Sequence, residues 1–328
     1  MITPLTLIQK NLNHISNRLF DFIVIIILSL LAANSHSYLQ TWQRPFRLDD
    51  PDISYNNQPN IVSSLMLSLV SILIPLIAIS LILGTMALFN WKRKASSSSS
   101  STPKPRTLLW MYYAFFTGFA ISLLLTEVST TIIKHQVGRL RPDFLDRCQP
   151  KFNSNTNQSI ATIINADFQI TPIVTTIFYN QSICTGDASL IAEGRLSFPS
   201  GHSSVAFSGL GFFGLSLFTI IKPTSITYKK LTFLTGNAVR LFCLFGCLMS
   251  AGYIAMTRVD QNVHNPTDVI AGGLLGFGFA LLTWYLYIVK EIQLVNRTER
   301  RNEVYERVCE RITMMENGMI ERSSFHGL

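Results

Sequence analysis

Long apolar runs alternate with shorter polar stretches along most of the chain, and this pattern predicts its architecture. We place six apolar segments at residues 19–37, 62–90, 108–132, 203–221, 239–256 and 269–289, the fifth being the shortest. A helix needs roughly 20 residues to cross a bilayer, and each segment reaches or approaches that length. Six such segments in 328 residues leave too little polar sequence to cover them in a soluble core. The pattern therefore predicts an all-α, polytopic membrane protein with six transmembrane helices in a bundle.

The first apolar segment allows two interpretations. Lys10 and Arg18 precede it, as basic residues precede the apolar part of a signal peptide. Small residues follow at Ala32 and Ala33, but the apolar run continues to Leu39 without a clean cleavage site. We expect an uncleaved first transmembrane helix, with a signal peptide as the alternative.

Composition agrees with a membrane protein, because 14% of the residues are charged against roughly 25% in soluble domains. The net charge is +8, but the basic residues lie between the apolar segments rather than on one basic face, so the charge does not indicate a nucleic-acid partner. Residues 91–107 and 222–240 carry basic side chains and no acids, which predicts that both are cytoplasmic. We expect a six-span domain over residues 1–290 with its core motifs at 134–268, and a cytoplasmic tail at 291–328, partly helical or disordered. Both termini are then cytoplasmic.

The long polar segment 133–202 is expected on the opposite side of the membrane. It carries two N-glycosylation sequons, at Asn157 and Asn180. It also contains Cys148 and Cys184, which would lie in an oxidising compartment if this topology holds. We therefore expect a disulfide between these two cysteines and glycans on the two asparagines.

Ionisable side chains concentrate in three clusters beside predicted helix ends. The first cluster runs from Lys134 to Arg141-Pro142, and the second is Pro199-Ser200-Gly201-His202. The third comprises Arg258, His264 and Asp268. Two predicted helices separate the second cluster from the third, and an even number of crossings returns the chain to the same membrane face. All three clusters are therefore expected to meet at one outward or lumenal site.

Three cations in these clusters, Lys134, Arg141 and Arg258, predict an anionic ligand. Uncompensated charges beside apolar helix ends are costly, and the acids nearby are Asp143 and Asp146. An arginine presents a planar fork of donors that fits phosphate oxygens. Three converging cations exceed what a carboxylate needs, so we expect a phosphate group.

The second cluster stands at the predicted start of the fourth helix. Backbone N–H groups at a helix N-terminus lack intrahelical partners and, with the helix dipole, favour an anion. Gly201 has no Cβ and allows the anion to approach closely, while Ser200 adds a hydroxyl donor. His202 lies beside this cradle and can exchange a proton near neutral pH. We therefore expect Ser200 and Gly201 to bind phosphate and His202 to act as general acid and base.

The third cluster supplies a nucleophile. His264 and Asp268 are four residues apart, a spacing that makes side chains neighbours on a helix or its first turn. A carboxylate on one imidazole nitrogen fixes the tautomer and leaves the other nitrogen free to attack. We expect His264 to attack phosphorus and form a phosphohistidine. No acidic cluster typical of an Mg²⁺ site is present, so we expect no metal cofactor.

These motifs have the spacing Lys-x6-Arg-Pro, Pro-Ser-Gly-His and Arg-x5-His-x3-Asp. In this order they resemble the lipid phosphate phosphatase branch of the type 2 phosphatidic acid phosphatase superfamily. The flanking stretches GRLRPDFLDRCQP and EGRLSFPSGHSS are also similar to that branch. The resemblance covers residues from about 108 to 289.

The resemblance implies a six-helix bundle with both ends in the cytosol and an outward or lumenal active site. It implies Mg²⁺-independent removal of phosphate from phosphatidate, lysophosphatidate, sphingosine 1-phosphate and ceramide 1-phosphate. The site residues it implies are His264, His202 and Asp268 for catalysis, and Lys134, Arg141, Ser200, Gly201 and Arg258 for phosphate binding.

Two departures from the family pattern leave the substrate preference open. Thr257 stands where a serine is usual, which keeps the hydroxyl and adds a methyl group. Residues 265–267, Asn-Pro-Thr, differ from the histidine and tryptophan common in close relatives. Neither change removes a reacting side chain.

Other functions remain as alternatives. A non-catalytic lipid-phosphate binder or adhesion protein would use the same pocket or the predicted glycosylated loop. A transporter should carry ionisable residues in mid-span, where we find only Glu127. The compartment is left open between the plasma membrane, with an extracellular site, and the ER or Golgi, with a lumenal one. Gly272, Gly273 and Gly276 permit close helix approach within one subunit or between subunits, so a homo-oligomer is possible.

Overall fold

A computed structural model of the chain describes residues 4–96, 105–151, 178–221 and 236–293 and a few tail positions (304, 307–310 and 313–314). Over these residues the regular structure is helical, apart from isolated bridges between Phe46 and Tyr179 and between Pro150 and Cys184. Six of the helices are long and apolar enough to cross a membrane. The predicted all-α class with six spanning helices is confirmed.

The helices follow the predicted segments in number and order. They are α1 (Pro4–Tyr38), α2 (Ser64–Ser68), α3 (Ile74–Ser96), α4 (Pro105–Val137), α5 (Phe144–Cys148), α6 (Ala188–Glu193), α7 (Gly201–Ile220), α8 (Gly236–Asp260) and α9 (Pro266–Thr283). A π-helical turn at Leu69–Leu73 joins α2 to α3, so these form one span, and a second at Trp284–Val289 extends α9. The short helices α5 and α6 lie in the segment between the third and fourth spans.

Two predicted boundaries were wrong because polar residues continue the helices beyond the apolar runs. The fifth span, α8, has 25 residues and is longer than the 20-residue α7, so it is not the shortest. Its last turn includes Arg258. The third span, α4, runs to Val137 rather than 132, with Lys134 and His135 in its last turn. Cations are favoured there by the helix dipole.

Helix α7 forms the centre of the bundle and packs mainly against α9 and α8, and also against α4. Its neighbours approach closely because glycine faces it. A Cβ on Gly276 would lie 2.0 Å from the carbonyl oxygen of Ser204, and one on Gly272 would lie 2.4 Å from that of Ser200. These contacts are within one chain, which gives the two α9 glycines a packing role inside the subunit.

Beneath the site an apolar core joins α4 to α7. Phe115 and Phe119 stack on each other and meet Phe212 edge to face, with ring centroids 5.5 and 5.8 Å apart. All three rings are buried. Edge-to-face aromatic contacts add to the free energy of apolar burial. This packing fixes α4 against α7, and with them the helix ends that carry the first two clusters.

The polar segments between the spans are anchored to one another. Cys148 at the end of α5 forms a disulfide with Cys184. The buried side chain of Arg195 donates to the backbone oxygen of Arg44 (2.9 Å) and to the side-chain oxygen of Gln181 (3.1 Å). These cross-links join the segment before the second span to the segment before the fourth. Asn180 is exposed, and the other sequon, Asn157, lies outside the described residues.

Candidate active site

The three clusters meet at one end of the bundle. Lys134 in the last turn of α4 donates to the backbone oxygen of Leu196, 2.6 Å away. The backbone N–H of Ser200, at the start of α7, donates to the backbone oxygen of Asp268 in α9 (2.9 Å). The backbone N–H of His264 donates to the oxygen of Arg258 at the end of α8 (3.2 Å). The ends of α4, α7, α8 and α9 therefore converge, as the parity of the predicted spans requires.

The predicted cations lie near the two predicted histidines. Lys134, Arg141 and Arg258 all lie close enough to His202 to act on its charge. Lys134 and Arg141 act in the same way on His264. Cations held together in a buried place repel one another, so the arrangement favours an anion between them.

Arg141 is held by an acid that the sequence analysis did not identify. Its Nη1 lies 3.0 Å from Oε1 of Glu193, whose other oxygen is 3.1 Å from Nη1 of Arg147. The expected partner Asp143 instead pairs with Arg147 (2.7 Å), and Asp146 accepts a backbone N–H. Burial raises the pKa of Glu193, but the two guanidinium groups outweigh it and hold this pKa below its usual value.

The Nε edge of the Arg141 guanidinium is free to bind a ligand. Its Nε is buried and has no hydrogen-bond partner among the residues that the structure describes. Burial lowers the pKa of Arg141, and a buried donor without a partner costs about 1–3 kcal/mol. A phosphate oxygen would satisfy this donor while Glu193 holds the other side of the fork.

Arg258 is almost completely buried, yet within the described ranges it has no carboxylate partner. Its contacts are long and neutral: Nε and Nη2 lie 3.4 Å from the Thr257 hydroxyl, and Nη1 lies 3.5 Å from Oδ1 of Asn60. Leaving a buried charge uncompensated costs several kcal/mol. Arg258 is therefore placed to bind an anion.

The Thr257 substitution is compatible with this arrangement. Its hydroxyl donates to the backbone oxygen of Ile254, 2.7 Å away in the same helix, and its oxygen faces Arg258. A serine hydroxyl can make the same bonds. The extra methyl group is buried in α8 and leaves the guanidinium contact intact.

Helix α7 begins as the sequence predicts, with Ser200 as its N-cap and Gly201 as its first residue. The Ser200 hydroxyl oxygen accepts the N–H of Ser203 at 3.5 Å and keeps its own proton to donate. A Cβ added to Gly201 would first meet Cε of Lys134, at 3.6 Å. Gly201 therefore faces the lysine side chain at the start of the helix, where backbone N–H groups lack intrahelical partners.

The side chain of His202 points into the same region. It lies beside the backbone of Val62, and its Nε2 is buried without a hydrogen-bond partner among the described residues. An unpartnered imidazole nitrogen beside three cations is placed to contact an anionic ligand. This is the position that a general acid needs.

His264 and Asp268 are neighbours, but their contact is indirect. Nδ1 of His264 lies 3.7 Å from Oδ2 of Asp268, beyond hydrogen-bond distance. The buried hydroxyl of Ser197 is 3.4 Å from that Nδ1 and 2.6 Å from that Oδ2. Burial lowers the pKa of His264, an effect that Asp268 opposes and Lys134 and Arg141 reinforce. The imidazole is therefore neutral at neutral pH.

Residues 265–267, Asn-Pro-Thr, which differ from the family pattern, form the start of α9. Asn265 is the N-cap and Pro266 the first helical residue, a pair well suited to begin a helix. The backbone N–H of Asn265 donates to Oδ2 of Asp268 at 3.0 Å. Thr267 lies 2.7 Å from Nη1 of Arg139, which also donates to Oδ1 of Asp268 at 2.7 Å. Residues 265–267, which differ from the family pattern, thus build the turn that positions Asp268.

A segment before the second span also crosses the site, and nothing in its composition predicted this. We call residues 55–62 the outer strap. Its hydrogen bonds to residues in or beside the first and third clusters are Tyr55 N to Pro142 O (2.9 Å), Asn57 N to Asp146 Oδ2 (2.9 Å), Gln261 Nε2 to Pro59 O (2.8 Å), Asn262 Nδ2 to Asn56 O (3.3 Å) and Arg258 Nη1 to Asn60 Oδ1 (3.5 Å). Most of these hydrogen bonds use backbone atoms of the strap, so its residue types do not predict the contact.

Within the described part of the chain, no group of three or more histidine, cysteine or acidic side chains is arranged to hold a metal ion. The expectation of a metal-free reaction stays a prediction.

Comparison with known proteins gives matches that cover all three motif clusters. The family model described as PAP2 superfamily matches residues 115–291, more than half of the chain. A PA-phosphatase related-family protein of Dictyostelium discoideum is 30% identical over 269 residues, 82% of this chain and 69% of that protein. Diacylglycerol pyrophosphate phosphatase 1 of Saccharomyces cerevisiae is 30% identical over 262 residues, 79% of this chain and 76% of the yeast protein. Lipid phosphate phosphatase 2 of Arabidopsis thaliana is 33% identical over 163 residues, 50% of this chain and 47% of the plant protein. No solved structure matches the chain significantly.

Proposed function

The chain belongs to the PAP2 superfamily of phosphatases, and from that premise we propose how this membrane enzyme acts. It hydrolyses the phosphate monoester of phosphatidate, lysophosphatidate, sphingosine 1-phosphate and ceramide 1-phosphate. A lipid substrate suits a site at the ends of spanning helices, because its headgroup reaches the cations while its acyl chains stay in the bilayer.

One observation carries this proposal. Arg258 is buried without a carboxylate partner among the described residues, and with Lys134 and Arg141 it is a charged neighbour of His202, whose Nε2 has no hydrogen-bond partner in the same residues. Such a group of cations and a proton donor fits the several oxygens of a phosphate and its leaving alcohol. A protein that only bound phosphate would gain nothing from a neutral, oriented imidazole at His264.

The first chemical step transfers the phosphoryl group to the protein. The ring nitrogen of His264 that faces away from Asp268, Nε2, attacks phosphorus, and an N–P bond forms as the ester O–P bond breaks. His202, which we propose is protonated once the bound phosphate anion offsets the neighbouring cations, gives this proton to the departing oxygen, which leaves as the lipid alcohol. Lys134, Arg141 and Arg258 hold the equatorial oxygens while charge redistributes in the transition state.

The second step releases inorganic phosphate. His202, now neutral, takes a proton from a water molecule as the water oxygen attacks the phosphorus of phosphohistidine. The new O–P bond forms as the N–P bond breaks, which restores neutral His264 and protonated His202. The same cations stabilise both steps, and we propose that they replace the electrostatic role that a divalent metal has in other phosphoryl transfers.

We also propose that the site faces the extracellular space or the lumen of the ER or Golgi. In the sequence, the basic, acid-free segments 91–107 and 222–240 connect α3 to α4 and α7 to α8, and the ends of α4, α7 and α8 that converge on the site are the opposite ones. The Cys148–Cys184 disulfide belongs to the same side as the site and is typical of an oxidising compartment. The exposed Asn180 is an acceptor for a glycan on that side.

Phosphate release from purified protein tests the proposal. The protein in detergent, with EDTA present, is expected to release inorganic phosphate from lipid phosphate monoesters. His264→Ala is expected to lower kcat by more than about 1000-fold, as loss of a covalent nucleophile does in other enzymes. His326→Ala, in the predicted tail, serves as the matched control and retains activity.

Two results would contradict the proposal. Activity abolished by EDTA and restored by Mg²⁺ would exclude the metal-free reaction. Saturable binding of lipid phosphates without release of phosphate, while a control phosphatase cleaves them, would favour the lipid-phosphate binder or adhesion protein instead.

A further inference from the structure

The carboxylate of Asp268 is fully buried and is held by groups other than the defining residues of the motifs that predicted the site. Oδ1 accepts from Nη1 of Arg139 at 2.7 Å. Oδ2 accepts from the Ser197 hydroxyl at 2.6 Å and from the N–H of Asn265 at 3.0 Å. The residue it is expected to orient, His264, is the neighbour that stands beyond hydrogen-bond distance, at 3.7 Å.

Ser197 occupies the position between the two. Its hydroxyl has one proton, and an ionised carboxylate can only accept, so the bond to Asp268 uses that proton. The lone pairs of the same oxygen then face Nδ1 of His264, 3.4 Å away, and can accept an Nδ1–H. Catalytic hydrogen bonds are often long before substrate binds and shorten in the complex. The chain of donors thus runs from His264 through Ser197 to Asp268.

Arg139 supports both ends of this chain. Its guanidinium contacts Asp268 and the Thr267 hydroxyl, each at 2.7 Å, and its backbone oxygen accepts the N–H of Ser197 at 3.0 Å. A buried carboxylate without a cation would tend to take up a proton, and it could then no longer accept from Ser197 in the same way. Nη1 of Arg139 is bonded to Asp268, so Arg139 differs in function from the three cations near His202, which are placed to bind phosphate.

We propose that Ser197 and Arg139 are positioning residues of the catalytic histidine. Ser197 relays the hydrogen bond of Asp268 to Nδ1 of His264, which fixes the proton on Nδ1 and leaves Nε2 free to attack phosphorus. Arg139 keeps Asp268 ionised and aimed at Ser197. This inference rests on the proposed role of His264; Ser197 lies outside the three motifs, and Arg139 is an unspecified position of the Lys-x6-Arg-Pro motif.

Ser197→Ala tests the relay with the smallest possible change. The variant is expected to lower kcat about 10–100-fold, the effect typical of losing a group that orients a functional histidine, while KM for the lipid phosphate stays within about twofold, because Ser197 does not bind phosphate. Ser216→Ala is the matched control, since Ser216 is an equally buried serine of α7 that donates to the backbone oxygen of Phe212. It is expected to retain full kcat.

A spectroscopic readout separates positioning from folding. ¹⁵N NMR of histidine-labelled protein in detergent, assigned with His264→Gln, reports which ring nitrogen carries the proton. The wild-type imidazole is expected as the Nδ1–H tautomer, and Ser197→Ala is expected to shift it to a mixture of tautomers. This signal does not depend on turnover, so it decides the relay even if the lipid substrates prove to be different.

Arg139 provides a second, partly exposed position where substitution is tolerated sterically. Arg139→Lys keeps the charge and is expected to lower kcat less than Arg139→Gln, with KM unchanged in both. Arg47→Gln is the control, since Arg47 is a similarly exposed arginine that pairs with Asp49 away from Asp268. In the double variant with Ser197→Ala, the loss is expected to be smaller than the product of the two single losses, because both residues act through Asp268.

Three outcomes would overturn the inference. The first is full kcat in Ser197→Ala, and the second is an Nε2–H tautomer of His264 in the wild type. The third is an equal loss of kcat/KM in Arg139→Lys and Arg139→Gln that comes from a higher KM and not from a lower kcat. Failure of the proposed function looks different: wild-type protein then releases no phosphate, or His264→Ala remains active, whatever the tautomer of His264.

Discussion

Gly201 and Gly276 each leave room for a neighbour, but the neighbours differ. At Gly276 the room is filled by the backbone of Ser204, 2.0 Å from the place a Cβ would take. At Gly201 the nearest atom is Cε of Lys134, at an ordinary contact distance of 3.6 Å. A methyl group is thus excluded by the fold at one position, while at the other it would occupy space beside the N–H groups proposed to bind phosphate.

The first prediction contrasts these two positions. Gly201→Ala is expected to fold with nearly unchanged thermal stability in detergent and to raise KM for a lipid phosphate at least about tenfold, because the methyl group displaces a phosphate oxygen. Gly276→Ala is expected to lower the unfolding temperature, because α7 and α9 must separate. Unfolding scans and steady-state kinetics check both. Normal KM in Gly201→Ala would remove the α7 N-terminus from the site.

A second prediction concerns the protonation of His264. Its pKa is lowered by burial, so the imidazole is expected to stay neutral as pH falls from 8 through its ordinary value of about 6.5. The ¹³C signal of its ring, assigned with His264→Gln, should therefore show no titration over the range from about pH 8 to 6, whereas exposed histidines titrate there. A midpoint at or above 6.5 would show that burial does not lower the pKa of His264.

At the scale of elements, hydropathy predicted the spans well and their ends poorly. Helices α4 and α8 continue through Lys134 and Arg258, because a helix end is decided by hydrogen bonding and capping as well as by apolarity. The start of α7 was predictable, since Pro-Ser-Gly is a local capping signal. The number of spans between the clusters was enough to predict that the ends of α4, α7 and α8 meet on one membrane face.

Other parts of the site could not be read from local sequence. Ser197 and Arg139 act through contacts across 71 and 129 positions of sequence. The outer strap binds mostly by backbone atoms, which carry no residue-type signal. Glu193 pairs with Arg141, although Asp143 is closer in sequence. Each depends on which loops meet, and that is decided by the packing of the whole bundle.

A third prediction belongs to the segment between α5 and α6. The Cys148–Cys184 disulfide closes a loop with a sequence separation of 36. Cys148→Ser is expected to lower the free energy of unfolding by about 3–4 kcal/mol in the chain-entropy description. Thermal unfolding in detergent without reductant checks this, with the exposed free cysteine variant Cys309→Ser as control. Equal stability of Cys148→Ser and wild type would show that the disulfide does not constrain the chain.

For the whole molecule, the distribution of charge decides how the bundle lies in the membrane. The site and the disulfide share one end, and in the sequence the basic segments 91–107 and 222–240 connect α3 to α4 and α7 to α8. The positive-inside rule supports the proposed orientation, in which these segments are cytoplasmic. In that orientation, substrates in the outer or lumenal leaflet would reach the site without crossing the bilayer.

The fourth prediction tests that orientation. In sealed vesicles with the cytoplasmic face outward, Ser98→Cys is expected to react with a membrane-impermeant maleimide. Asn56→Cys, in the exposed outer strap, is expected to react only after detergent opens the vesicles. Reaction of both cysteines in sealed vesicles would place the site and the basic segment on the same side.

The account as a whole depends on three distant clusters forming one reaction centre around His264. Trapping of the covalent intermediate tests this most directly: the protein is mixed with a ³²P-labelled lipid phosphate and denatured under alkaline conditions, which preserve phosphohistidine. We predict label on the wild-type chain, on the peptide that contains His264, and none on His264→Ala. Unlabelled wild-type protein that still releases phosphate, or label on any other residue, would contradict the account.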